Sequence, residues 1–407
     1  MKVVGDNMNI PFSPPDIQQE DINEVISVLK SGWITTGPKT KEFEINLANY
    51  IGTSKVVCLN SATAGLELAL RILGIGPGDE VITSAYTYTA SASIICHVGA
   101  IPILVDIPPN SCHIDAKQIE KAITTKTKAI ITVDLAGIMC DYDSIIQMLE
   151  SKKHMYQPNK EIQQIFHRIP IIADASHALG ATYKGFHSGN VADFTVFSFH
   201  AVKNLTTAEG GAVTWKKHDL IDDDELHKLF MLHAIHGQTK DALSKSKLGG
   251  WEYDILFPAY KYNMTDISAA LGVSQLRRYD AMLNRREEIV RQYNTLLEDT
   301  SVTPLPHNST QECKSSCHLY MLQLEGFSEL NRNHLIEHLS TKNIGTNVHY
   351  KPLPLLTAYK NLGFQMQDYP NSYAFYVKEI TLPLYSQLTD EQCHYICSAL
   401  KTYRELM

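Results

Sequence analysis

No stretch of this chain is long and apolar enough to suggest a membrane span. The longest candidate, Ala90 to Val105, is interrupted by His97, Gly99 and Pro102, which leaves it too broken to cross a bilayer. A compact basic tract is also missing. Lys and Arg number 36 against 44 Asp and Glu, a formal net charge of −8, and that balance argues against a nucleic-acid or anionic-membrane surface. No internal repeat or low-complexity segment stands out. Met1 to Pro15 has no basic start followed by an apolar run, so no secretory signal is legible and a cytoplasmic location is expected. The eight cysteines are scattered, as suits free thiols in a reducing compartment. Cys313 and Cys317, with His318 alongside, have zinc-like spacing, as do Cys393 and Cys397. The last two lie one helical turn apart in an amphipathic stretch, where cysteine commonly serves as a small core residue. No metal is expected.

With 407 residues, 44% hydrophobic and 20% charged, the composition is that of a globular protein large enough for two or three cores. From about Lys55 to Trp215, short β-rich runs alternate with helical patterns, which predicts an α/β domain with a mainly parallel sheet. The candidate strands are Val56–Leu59, Glu80–Thr83, Ile101–Val105, Ala129–Val133, Ile169–Ala173, Phe194–Phe199 and Ala212–Trp215. Leu66, Ala69, Leu70 and Leu73 repeat at helical spacing before Gly74. The polar segment 151–167 reads as a surface insertion. Around residue 250 the character changes. Thr265 is a candidate N-cap for one long helix reaching toward Leu297. A strand (His318–Leu324), a helix ending before Gly345, a strand (Thr346–Tyr350) and a terminal helix from Thr389 follow, forming a smaller α+β domain. The expected division is 1–30 as an N-terminal segment packing on the small domain, 31–255 as the large domain and 256–407 as the small one.

The chemistry is concentrated around Lys203. It lies between a candidate strand and Gly210-Gly211, in the run Ser198-Phe199-His200-Ala201-Val202-Lys203-Asn204. A lone lysine is ordinarily a solvated surface residue. Among small and apolar neighbours, partial desolvation would favour the free amine, the form that makes a Schiff base with pyridoxal phosphate (PLP). Asp174 ends an apolar run, where an unpaired carboxylate is costly. It could be a helix cap or a salt-bridge partner; a pyridinium N–H would also satisfy it, and its charge would keep that nitrogen protonated. His177 could flank such a ring or simply pack in the core. Asn60-Ser61-Ala62-Thr63-Ala64-Gly65 joins a strand to a helix, so it is either a plain capped turn or a cradle for the PLP phosphate. Ser198 could add a hydroxyl to that phosphate. Tyr88, after the second strand, could stack on a flat cofactor or line the core. Gly74-Ile75-Gly76-Pro77-Gly78 follows a helix and precedes a strand, the reverse of a dinucleotide fingerprint.

These motifs, together with Ser31-Gly32-Trp33-Ile34-Thr35-Thr36-Gly37-Pro38, Tyr260-Lys261-Tyr262-Asn263-Met264-Thr265-Asp266 and Gly345-Thr346-Asn347-Val348-His349-Tyr350, resemble the DegT/DnrJ/EryC1/StrS sugar aminotransferases nearly end to end. The nearest pattern within the family is that of 4-keto nucleotide-sugar aminotransferases such as UDP-4-amino-4-deoxy-L-arabinose synthase. The resemblance implies the fold-type I PLP architecture, with Lys203 as the Schiff-base lysine and Asp174 as the pyridine-nitrogen partner. It further implies Tyr88 on the ring and Ala62, Thr63 and Ser198 on the phosphate. It also implies a homodimer with the site at the subunit interface, where Lys261 or Asn263 reaches the other subunit's phosphate. Here Ala259, Lys261 and Asn263 replace the Gly, Asn and Arg of the family's usual Gly-Tyr-Asn-Tyr-Arg form. Trp33, Thr35 and His349 would lie near the sugar. Some relatives are sugar dehydratases with histidine in the lysine slot; Lys203 favours transamination. The expected reaction moves an amino group from glutamate to a keto nucleotide sugar in ping-pong fashion. A 3-keto sugar or aminocyclitol precursor is the alternative acceptor, and a non-catalytic PLP-binding regulator is the rival from another class.

Overall fold

The computed structural model describes residues 8–245, 251–307 and 312–405. Its centre is a seven-stranded sheet. The strands, in chain order, are β1 (Val56–Leu59), β2 (Glu80–Ser84), β3 (Ile101–Val105), β4 (Thr127–Val133), β5 (Ile171–Asp174), β6 (Thr182–Tyr183), β7 (Phe186–His187), β8 (Phe194–Ser198) and β9 (Gly211–Trp215). The sheet order is β1-β9-β8-β5-β4-β2-β3. Only β9 runs against its neighbours, pairing antiparallel with both β1 and β8. Each of the seven expected strands is present, with edges shifted by up to two residues. β5 begins later than expected and extends to Asp174, so the carboxylate sits on the last residue of a central strand. Helices cover both faces, which is why these strands read as mostly apolar runs rather than strictly alternating ones. The core includes Leu66, Ile82, Ile130, Ile172 and Val196.

Helix α1 spans Gln19–Ser31, α2 Pro38–Ile51 and α3 Ala62–Ile72. The apolar stripe expected after β1 is α3. Ser61 caps it by accepting the Ala64 N–H, and Gly74 follows it at φ 68°. α1 lies along helix Asp266–Arg277, which also packs on α2. Thr265 caps that helix as expected. The long helix does not run unbroken to Leu297, however. It stops at Arg277, and a second helix spans Tyr279–Leu297. Arg278 turns out of helical geometry, and its guanidinium holds the Asp16 carbonyl and the Asp21 carboxylate, both at 2.7 Å.

A second core gathers Tyr293, Tyr320, Leu335, Cys393 and Cys397 around β10 (Val302–Pro304), β12 (Tyr320–Leu324) and β13 (Glu379–Leu382). Both cysteines of the last pair are therefore core residues. β11 (Cys313–Lys314) instead joins β6 and β7 in a small outlying sheet, away from buried Cys317. Thr346–Tyr350 is not a strand. Its backbone pairs with β13 only at the Asn347–Thr381 bridge, because the His349 N–H, two residues on, is taken by the Glu379 carboxylate at 2.8 Å rather than by a β13 carbonyl. Segment 151–167 is more than a surface flap. Gln163 is fully buried and donates to the Leu73 carbonyl at 2.9 Å, and Lys128 reaches the Gln157 carbonyl at 2.6 Å. Among the described residues, no helix is long and apolar enough to cross a membrane.

Candidate active site

A cavity of about 440 Å³ opens where the central strands end. Ala62, Thr63, Tyr88, Asp174, His177, Ser198 and Lys203 all line it, as do Glu209 and Tyr350. The sheet order explains the convergence. β5 and β8 are neighbours, so their C-terminal ends bring Asp174 and Ser198 side by side. The loop from β8 back to β9 then carries Lys203 over them. That loop is tied down locally: the Phe199 N–H donates to the Gly210 carbonyl at 2.9 Å, and the Lys203 N–H to the His200 carbonyl at 2.9 Å.

Gly211 shows why the loop closes on glycines. A Cβ at that position would lie 2.4 Å from the Ala62 nitrogen and 2.4 Å from the Ser61 carbonyl carbon. The start of α3 is thus pressed against β9, and only a residue without a side chain admits it. The first N–H groups of a helix have no intrahelical acceptor, and the helix end carries partial positive charge. Ala62 and Thr63, at that helix start, line the cavity.

Asp174 is 5% exposed. Its Oδ2 accepts the Ser91 hydroxyl at 2.7 Å, and Ser91 in turn meets Thr87 Oγ1 at 3.0 Å. Its Oδ1 accepts the Ser176 hydroxyl at 2.6 Å and the Ser176 N–H at 3.2 Å. A carboxylate with these donors still has capacity for a further one. Lys203 faces the same cavity. Burial among the walls lowers its ammonium from 10.5 to about 8, while the charge of Asp174 holds it up in part. At neutral pH about a tenth of such a lysine is free amine, against well under a thousandth for an ordinary one.

His177 is neutral: burial, then the charges of Lys203 and His349, hold its pKa well below the imidazole norm. Its ring sits 4.3 Å from that of His318, whose Nδ1 pairs with Asn204 Oδ1 at 2.8 Å. Tyr88 is 59% exposed at the cavity mouth, its ring 5.7 Å from that of Tyr350.

Several other expected residues lie elsewhere. Thr35, Lys261 and Asn263 line a separate pocket of about 200 Å³ with His236 and Lys245. Asn263 Nδ2 donates there to Thr36 Oγ1 at 2.5 Å. Trp33 folds back to donate from Nε1 to the Thr36 carbonyl at 3.2 Å. His349 is buried, with Nδ1 2.8 Å from Thr381 Oγ1 and its ring stacked 5.6 Å from that of Phe12. Its neighbour Tyr350 reaches the cavity instead. The sequence reading passed over Tyr350, together with Ser91, Ser176 and His318. Ser176 had a local signal, since it lies two residues after the acid. The others meet the site only through long-range packing.

Comparison with known proteins agrees with this geometry. The model of the DegT/DnrJ/EryC1/StrS aminotransferase family matches residues 15–401. The spore coat polysaccharide biosynthesis protein SpsC of Bacillus subtilis is 38% identical over 401 residues, covering 97% of each chain. A Streptococcus pneumoniae protein described as a sugar aminotransferase, solved in its PLP form, is 55% identical; the match has a TM-score of 0.94 and covers 98% of this chain and 99% of that one. Helicobacter pylori PseC, an aminotransferase involved in pseudoaminic acid biosynthesis, is 29% identical; its TM-score is 0.86, with 98% of this chain and 100% of that one covered. With the match running almost from end to end over a fold of the same shape, this chain belongs to the DegT/DnrJ/EryC1/StrS aminotransferase family.

Proposed function

We propose that this protein is a PLP-dependent aminotransferase that moves an amino group from glutamate to the ketone of a 4-keto nucleotide sugar, acting as a homodimer. The observation that carries the chemistry is a single cavity holding a desolvated amine, Lys203, beside a buried, multiply hydrogen-bonded carboxylate, Asp174. Sugar as the substrate class is supported by the relatives, described as a sugar aminotransferase, an aminotransferase in pseudoaminic acid biosynthesis and a spore coat polysaccharide protein.

The residues present fit the cofactor. The Ala62-Thr63 backbone at the start of α3, with the Ser198 hydroxyl, would hold the phosphate. Asp174 would face the pyridine nitrogen, Tyr88 and His177 would flank the ring, and Lys203 would hold the aldehyde carbon. Bound PLP supplies an electron sink for the C–H bond broken at the amino-bearing carbon. The chain's own part is placement and proton handling. The Ser91 and Ser176 hydroxyls, donating to Asp174, hold its carboxylate in place. Lys203 Nζ, with its lowered pKa, takes up and returns a proton close to neutral pH, where a general acid–base group works best.

Donor and acceptor use one cavity in turn, so ping-pong kinetics are expected. Lys261 and Asn263 lie in their own pocket, away from Lys203 of the same chain. That placement fits a dimer in which each copy lends this loop to the other's phosphate. The decisive experiment is Lys203→Ala. The variant should lose the visible cofactor band and turn over at least about a thousandfold more slowly, since it removes both the anchor and the proton carrier. A variant with the band and the rate intact sinks the assignment.

A further inference from the structure

Tyr350 enters the cavity from the segment between Gly345 and the small antiparallel sheet, and its main chain is held on both sides. The N–H of the preceding residue, His349, donates to the Glu379 carboxylate at 2.8 Å, and the His349 carbonyl accepts the buried Tyr86 hydroxyl at 2.6 Å. The phenol oxygen then lies 3.3 Å from His177 Nε2.

The direction of that hydrogen bond follows from the other side of the imidazole. The Ala136 backbone N–H donates to His177 Nδ1 at 3.2 Å. Ala136 sits in the left-handed region at φ 61°, and its carbonyl is taken by the His318 N–H at 3.0 Å. The peptide is therefore pinned with its N–H on the ring. A neutral imidazole that accepts at Nδ1 carries its proton at Nε2. The groups facing His177 are His318, Lys203, His349 and the Tyr350 phenol itself; burial and the neighbouring positive charges keep the ring neutral. His177 therefore donates to Tyr350. The Tyr350 hydroxyl stays protonated, because burial and then the charge of Asp174 push it up. Its own proton has no use toward His177 and is left for the cavity.

We propose that Tyr350, oriented by the Ala136–His177 relay, donates its hydroxyl to an oxygen of the amino-group acceptor and so determines specificity for a polyhydroxylated ketone. The proposal rests on the sugar-aminotransferase reading above. It assigns to Tyr350 the role that sequence resemblance gave to His349, which is turned away to Thr381.

The test separates the two half-reactions in single turnover, using wild type and Tyr350→Phe loaded with cofactor. Bleaching of the pyridoxal form by glutamate should agree within about threefold. Return of the band when the pyridoxamine form meets a UDP-linked 4-keto hexose should slow by about ten- to a hundredfold, the usual effect of losing one specific hydrogen bond in a closed site. Equal rates in both halves, or equal slowing of both, overturn the proposal. A second measurement does not depend on turnover. Nitrogen-15 histidine spectra of the loaded protein, assigned with a His177→Gln variant, should show His177 as the Nε2–H tautomer without titration between pH 5.5 and 8.5. An Nδ1–H tautomer, or a titration near 6.5, overturns the relay. If wild type aminates no keto sugar, the proposed function fails and the assigned acceptor with it, while the spectra still decide the His177–Tyr350 orientation.

Discussion

Lys203 should destabilise the protein that depends on it. Its ammonium is lowered from 10.5 to about 8, with burial as the principal cause. At roughly 1.4 kcal/mol per tenfold, that corresponds to about 3 kcal/mol against the charged form in the fold. The side chain still touches cavity water, so about 1–2 kcal/mol is the realistic share. The sign is set by linkage. The folded pKa lies below the unfolded one, so between about pH 8 and 10.5 the unfolded chain holds a proton that the folded chain has released. The penalty is complete below about pH 8 and disappears as pH rises toward 10.5. Lys203→Met fills a similar volume without charge. The cofactor-free variant should therefore exceed cofactor-free wild type by about 1–2 kcal/mol at pH 7, a rise of a few degrees in melting temperature. The gap should close by about pH 10.5. Thermal unfolding at matched protein concentration, repeated between pH 7 and 10.5, measures it. A variant no more stable at pH 7, or a gap that widens with pH, refutes the claim that desolvation tunes this amine.

Two other substitutions test the scaffold. Gly211→Ala places a methyl against the Ser61-Ala62 backbone at 2.4 Å; it should raise the dissociation constant for PLP at least about tenfold and cost about 1–3 kcal/mol of stability, measured by cofactor titration and denaturant unfolding. Arg332 is 1% exposed, donates from Nη1 to the Tyr376 and Glu379 carbonyls at 2.9 Å each, and lies over the Tyr376 ring at 4.8 Å. Arg332→Ala strips both buried carbonyls of a charged donor, so denaturant unfolding should show a loss of about 2–5 kcal/mol, and a loss below about 1 kcal/mol contradicts that accounting.

What the chain determines locally could be read directly. Strand runs such as Ile171–Asp174 and Phe194–Ser198 are mostly apolar on both faces because both sheet faces are covered, and the α3 stripe repeats at the helical period. Lys203, Asp174 and the Ala62-Thr63 turn could be singled out because each departs from its surroundings: a charge among apolar residues, or small residues at a helix start. Pattern alone misjudged the places where a side chain from far along the chain outweighs local preference. Arg278 breaks a promising helix to hold Asp16 and Asp21. The Glu379 carboxylate takes the backbone proton that would have let 346–350 join a strand. Gln163 draws a polar segment into the core. The same division runs through the site. Composition and motif determined which chemistry the chain carries. Only the sheet order and the packing of the C-terminal segment decided that Tyr350, rather than His349, lines the cavity, because hydrogen bonds between residues tens to hundreds of positions apart leave no periodic trace in the sequence.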